Sequence, residues 1–127
     1  MPGFGSVSPV RGNQEQLRIS AQFTGAGAAD CVAVSGMTRD VKSLTYNSST
    51  GKFILTLWDW PGVLVDVRAT NNLATGNAPL VGNPVWASID KDAKTIPIEF
   101  WDLATPSLTN PVASTVVTVE LTFQKTV

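Results

Sequence analysis

The sequence predicts an all-β fold: an antiparallel β-sandwich of jelly-roll-like form with about eight strands. Three observations carry that expectation. Apolar and polar residues alternate with a period of two, turn-forming residues break the alternation at short intervals, and no helical apolar period persists for three turns. In Leu17-Arg18-Ile19-Ser20-Ala21-Gln22-Phe23 the odd positions are apolar, and Val117 to Phe123 repeats the pattern without a fault. Ile96, Ile98 and Phe100 alternate against Thr95, Pro97 and Glu99. Further strands are expected over Lys52 to Trp58, Val63 to Ala69 and Val85 to Ile89, with shorter ones at Cys31 to Val34 and Leu44 to Tyr46.

The punctuation fixes two hairpins. Asn47-Ser48-Ser49-Thr50-Gly51 is a turn between the Tyr46 and Phe53 strands, and Asp90 to Lys94 joins the Trp86 strand to the Ile98 strand. Pro97 has no backbone N–H to give a ladder, so its strand is expected at an edge or at a bulge. Asn71 to Pro84, with Gly76, Pro79, Gly82 and Pro84, reads as an irregular loop. Alternation is absent before Leu17. Residues 1–16 are therefore expected to form an extended arm, either a frayed terminus or a segment that orders on a partner through Phe4, Val7 and Val10, and residues 17–127 a single β domain.

Composition narrows the function classes. Charged residues make up 15% of the chain, against roughly 25% in an ordinary soluble domain. Such a surface suits extensive contact with other proteins, because interface cores are depleted in charge. The nine Lys and Arg residues are scattered singly, so a nucleic-acid partner is not expected. No apolar run approaches the ~18 residues of a membrane span, and the opening MPGFGSVSPVRGN has neither the basic nor the apolar part of an export signal. The single Cys31, in the run Cys31-Val32-Ala33-Val34, reads as a small core residue.

Histidine is absent, which removes the usual general base and the Ser-His and Cys-His nucleophile systems. A carboxylate pair drawn from Asp59, Glu99, Asp102 and Glu120 is the remaining route to glycosidase chemistry. Glu99 and Glu120 fall on the polar side of their alternation, which favours solvent over a catalytic pocket. Asp90-x-Asp92 has carboxylate spacing but lacks the further ligands of a calcium loop. No enzyme activity, cofactor or metal is expected from this set.

The aromatic residues hold the remaining information. Trp58 and Trp60 flank Asp59 in LWDWPG and would share one side of the chain if the strand ran that far. Phe53, Leu55 and Leu57 form the core side, which leaves Trp58 outside, and Trp101 falls out of phase with Ile96, Ile98 and Phe100. Three readings compete: a cluster beneath a loop, a subunit interface, or a sugar-stacking platform. Exposed tryptophans are costly in a monomer and become anchors at an interface, so Trp58, Trp60 and Trp101 are taken as interface residues.

The succession LTYNSSTGKFILTLWD, followed by VWASIDKDAKTIPIEFWDLATPSLTNPVASTVVTVELTF, resembles small β-rich virion proteins of tailed bacteriophages, the head decoration or cement proteins. The resemblance covers Leu44 to Val127. It implies a structural protein on the outside of a capsid, made in the host cytoplasm, with the major capsid protein as partner. It also implies a homo-oligomer, a trimer before a dimer, and it carries no catalytic residue. Two other classes stand beside it: a carbohydrate- or receptor-binding module of a virion fibre or spike, and a small carboxylate-based glycosidase.

Overall fold

The computed structural model describes residues 16–34, 36, 40–72, 80–102 and 107–125. Among these residues nine strands form one antiparallel sheet: β1 (Gln16–Thr24), β2 (Val32–Ala33), β3 (Val41–Asn47), β4 (Lys52–Leu57), β5 (Val63–Asn72), β6 (Leu80–Pro84), β7 (Thr95–Asp102), β8 (Ser107–Leu108) and β9 (Val116–Gln124). The order across the sheet is β2-β1-β9-β5-β6-β7-β4-β3, with β8 added to β7. The two ends of that path meet. The Cys31 N–H donates to the Leu44 carbonyl at 3.0 Å, and the Tyr46 N–H donates to Asp30 Oδ1 at 2.7 Å. The sheet is thereby curled nearly into a barrel.

Alternation dictates what fills it. Every second residue of a strand points to the same face, and the inward set is apolar on each long strand. Ile19, Ala21 and Phe23 on β1 face Val117, Val119, Leu121 and Phe123 on β9. Phe53, Leu55 and Leu57 on β4 join Ile96, Ile98 and Phe100 on β7. Phe53 meets Phe100 edge-on, with centroids 5.5 Å apart. A bulge between Leu64 and Asp66 breaks the pairing of β5 with β9, and beyond it Val67, Ala69 and Asn71 point inward. Asn71 is the polar exception. Its Nδ2 donates to Thr115 Oγ1 at 2.8 Å and to the Val116 carbonyl at 3.1 Å, tying the end of β5 to the start of β9.

The Asn47 hairpin forms as the sequence predicts. Asn47 Oδ1 accepts the Ser49 N–H, and Gly51 takes the left-handed conformation at φ 72°. Four expectations need correction. The stretch Asn71 to Pro84 is not one loop, because β5 continues to Asn72 and Leu80–Pro84 forms β6 between β5 and β7. Val85 to Ile89 is not a strand. Trp86–Ser88 makes a single 3-10 turn, and only Asp90 bridges to Thr95 before the Asp90–Lys94 turn. Pro97 lies in an interior strand, flanked by β4 and β6. Its carbonyl accepts the Val85 N–H where β6 has already ended at Pro84, so the absent N–H falls at the end of that ladder. Finally, Gln16 belongs to β1 rather than to an arm. Phe4, Val7 and Val10 lie outside the described residues.

The connection that places the aromatic residues runs from β4 to β5. It skips β7 and β6, giving the Greek-key order β4-β7-β6-β5. Only Trp58 to Gly62 make the crossing. Six peptide steps reach about 20 Å when extended, and three strand spacings amount to about 14 Å. LWDWPG is therefore long enough to serve as a strap across one end of the barrel.

Candidate functional site

Because β4 stops at Leu57, strand geometry no longer governs the two tryptophans of the strap, and they part company. Trp60 turns inward. Its ring meets Phe123 edge-on at 5.2 Å and 84°, and it packs on the buried core as a plug in the barrel end. Trp58 turns outward and is 56% exposed, with Lys42 Nζ 5.4 Å from its ring centroid. The shared side that an extended strand would give them does not form.

Trp101 lies at the other end of β7, on its outer side. The register sets it directly opposite Val81 on β6 and Leu108 on β8, so three apolar side chains stand abreast on the outer face of the sheet. Trp101 and Val81 are half-buried, and Leu108 is 47% exposed. Phase alone indicates Trp101. Leu108 escapes a sequence reading because its strand is two residues long, and Trp86, also exposed, escapes it because it sits on a 3-10 turn.

The four carboxylates considered for acid-base chemistry are not gathered in one cleft. Glu99 on β7 and Glu120 on β9 are separated in the sheet by β6 and β5, while Asp59 lies on the strap and Asp102 at the far end of β7. Glu120 lines a shallow groove of about 120 Å³ on the outer face of β1, β9 and β5, with Arg18, Ser20, Asp66, Arg68 and Thr122. Arg68 donates to Asp66 there at 2.9 Å, so the groove mixes both signs of charge. Asp90 is occupied as a turn cap, its Oδ1 accepting the N–H groups of Asp92 and Ala93 at 3.0 Å each. Among the described residues, no three His, Cys, Asp or Glu side chains come together to hold a metal. Among the same residues, no helix is long and apolar enough to cross a membrane.

Cys31 packs at the edge of the core, where β2 approaches β3. Burial first, and the Asp30 carboxylate second, push its pKa from 9.0 to about 11. Two pH units mean about a hundredfold less thiolate at a given pH below both values. Labelling of Cys31 by a disulfide reagent should accordingly keep rising about tenfold per pH unit up to about pH 10. A plateau near pH 9 would show an ordinary, solvated thiol.

The chain matches no family model, no curated protein and no solved structure.

Proposed function

We propose that this protein is a structural virion protein of a tailed bacteriophage: a decoration or cement protein that binds the outside of the capsid through non-covalent contacts. The observation that carries the reading is the outward row Val81–Trp101–Leu108 on β6, β7 and β8. An indole flanked by two aliphatic side chains on a pleated, rigid surface is the kind of anchor that a partner's pocket buries. Low charge elsewhere on the chain supports the same reading. On this reading the curled sheet works as a jelly-roll-like sandwich, with the β4-β7-β6 wall carrying the contact and the β1-β9-β5 wall backing it. The partners are the major capsid protein and further copies of this chain, a trimer before a dimer. The role is binding without catalysis.

The energetics are adequate for that task. At roughly 25 cal/mol per Å², burial of about 400 Å² of apolar surface gives a gross ~10 kcal/mol per copy before ordering costs. Repetition over a symmetric lattice multiplies the gain through effective concentration.

Mass-spectrometric identification of the chain in purified virions tests the assignment directly, and its absence from intact particles would refute it. The contact itself is tested by Trp101→Ala combined with Leu108→Glu. The double variant should keep the circular dichroism of the parent while binding to shells falls by about tenfold or more. Unchanged shell binding would remove this row from the interface.

A further inference from the structure

We propose that the groove beside Trp58 is a subsite for an uncharged sugar ring. The inference goes beyond attachment to a shell. The groove opens at the strap end of the barrel, while Trp101 lies six residues along β7 from Thr95, about 20 Å away at strand rise.

The groove holds about 280 Å³ and is lined by Leu17, Ile19, Asp40, Trp58, Asp59 and Pro61. That volume is just below the ~300 Å³ at which small-molecule pockets begin, a size for one ring rather than for an extended ligand. Its chemistry is divided. Leu17 and Ile19 bring the inward face of β1 to the mouth of the barrel, and Pro61 and the Trp58 indole extend that apolar surface. Asp40 and Asp59 supply carboxylate oxygens from two different connections. A pyranose is divided in the same way, with a face of C–H groups and a rim of hydroxyl donors. Each ionised carboxylate has about four acceptor positions, so it can take a hydroxyl beside an existing partner.

Charge selects against the other ligand classes. Two carboxylates in the lining repel phosphate, sulfate and acidic sugars. A cationic ligand is disfavoured on the ring itself, because the Lys42 ammonium already lies 5.4 Å from the indole centroid. A neutral polyol meets neither obstacle.

The platform is also held in advance of binding. Trp60 is seated on Phe123 two residues away, and the Lys42 contact restrains the indole from the side of β3. A wall fixed in this way loses little freedom when a ligand stacks on it.

The test uses the full chain on an array of neutral hexose and N-acetylhexosamine oligosaccharides, followed by titration of the strongest binder with tryptophan fluorescence as readout. A neutral glycan should bind, and Trp58→Ala should weaken it by about tenfold or more. Asp59→Asn should weaken binding by about threefold or more, and Trp58→Phe should restore part of the loss. Trp101→Ala should leave binding unchanged, and affinity should vary little with salt. Trp58 is exposed, so its variants are expected to fold, and circular dichroism checks that they do. The proposal is overturned if no neutral glycan binds, if only charged ligands bind, or if Trp58→Ala binds as tightly as the parent.

Discussion

Trp60→Ala should lower the stability of the domain by about 3 kcal/mol, whereas Trp58→Ala should lower it by less than about 1 kcal/mol. The two residues are separated by one position and have the same chemistry, so the contrast isolates environment. Trp60 fills the barrel end against Phe123, which is itself fully buried, and its loss opens a void that neighbouring strands cannot close. Truncation of buried aromatic residues commonly costs 3–5 kcal/mol, and the lower end applies to a ring that is only partly covered. Trp58 is largely exposed and takes part in a surface cation–π pair with Lys42. Such a pair contributes about 0.5–1 kcal/mol at the surface. Chemical denaturation of the two single variants decides the matter. In a chain of this size the Trp60 variant should melt about 10 °C lower than the parent. Equal losses would mean that the strap does not separate the two indoles.

The strands that a period of two reveals are those with one face buried along their whole length. β4 and β9 meet that condition, β1 meets it from Ile19 onward, and their inward residues follow from alternation alone. β6 does not, because Gly82, Asn83 and Pro84 make three of its five residues, and none has a strand's propensity. Gly82 is nevertheless where packing needs it. A Cβ there would lie 2.6 Å from Ala69 Cβ and 3.0 Å from both Ile98 and Phe100. Tertiary approach has overridden local preference, which no local reading can anticipate. The same holds for Asn71, whose amide is inside because Thr115 and Val116 arrive from more than forty residues away to receive it.

The candidate sites divide along the same line. Trp101 was legible, since its phase against Ile96, Ile98 and Phe100 follows from strand geometry alone. Its neighbours Val81 and Leu108 were not, because the pairing of β6 and β8 with β7 is set by the sheet order. At the strap, alternation ends with β4, so the opposite fates of Trp58 and Trp60 depend on a crossing between strands that are not neighbours. The groove beside Trp58 is further from the sequence still. It joins Leu17 and Ile19 to Asp59 and Pro61, about forty positions apart in the chain.

Gly62→Ala should destabilise the domain by about 3 kcal/mol, the upper end of the range for forced overpacking. The strap must set the chain down beside the end of β9, where Val63 pairs with Gln124. A Cβ on Gly62 would run into the Gln124 carbonyl oxygen and approach the Lys125 Cα at 3.1 Å. Both obstacles are backbone, so no side-chain rotation relieves them. Either the β5–β9 ladder opens at its first rung or the strap lifts and unseats Trp60. Gly51→Ala provides the control, because that glycine has open space around it and only its positive φ to lose. Its change should cost about 1 kcal/mol through backbone strain alone. Denaturation midpoints give the two losses, and the Trp60–Phe123 contact offers a second reading through tryptophan fluorescence. In the Gly62 variant the Trp60 emission should shift toward that of a solvated indole, while in the Gly51 variant it should not move. If the two variants lose the same stability and keep the same emission, the close approach of the strap to β9 does not hold the barrel end shut.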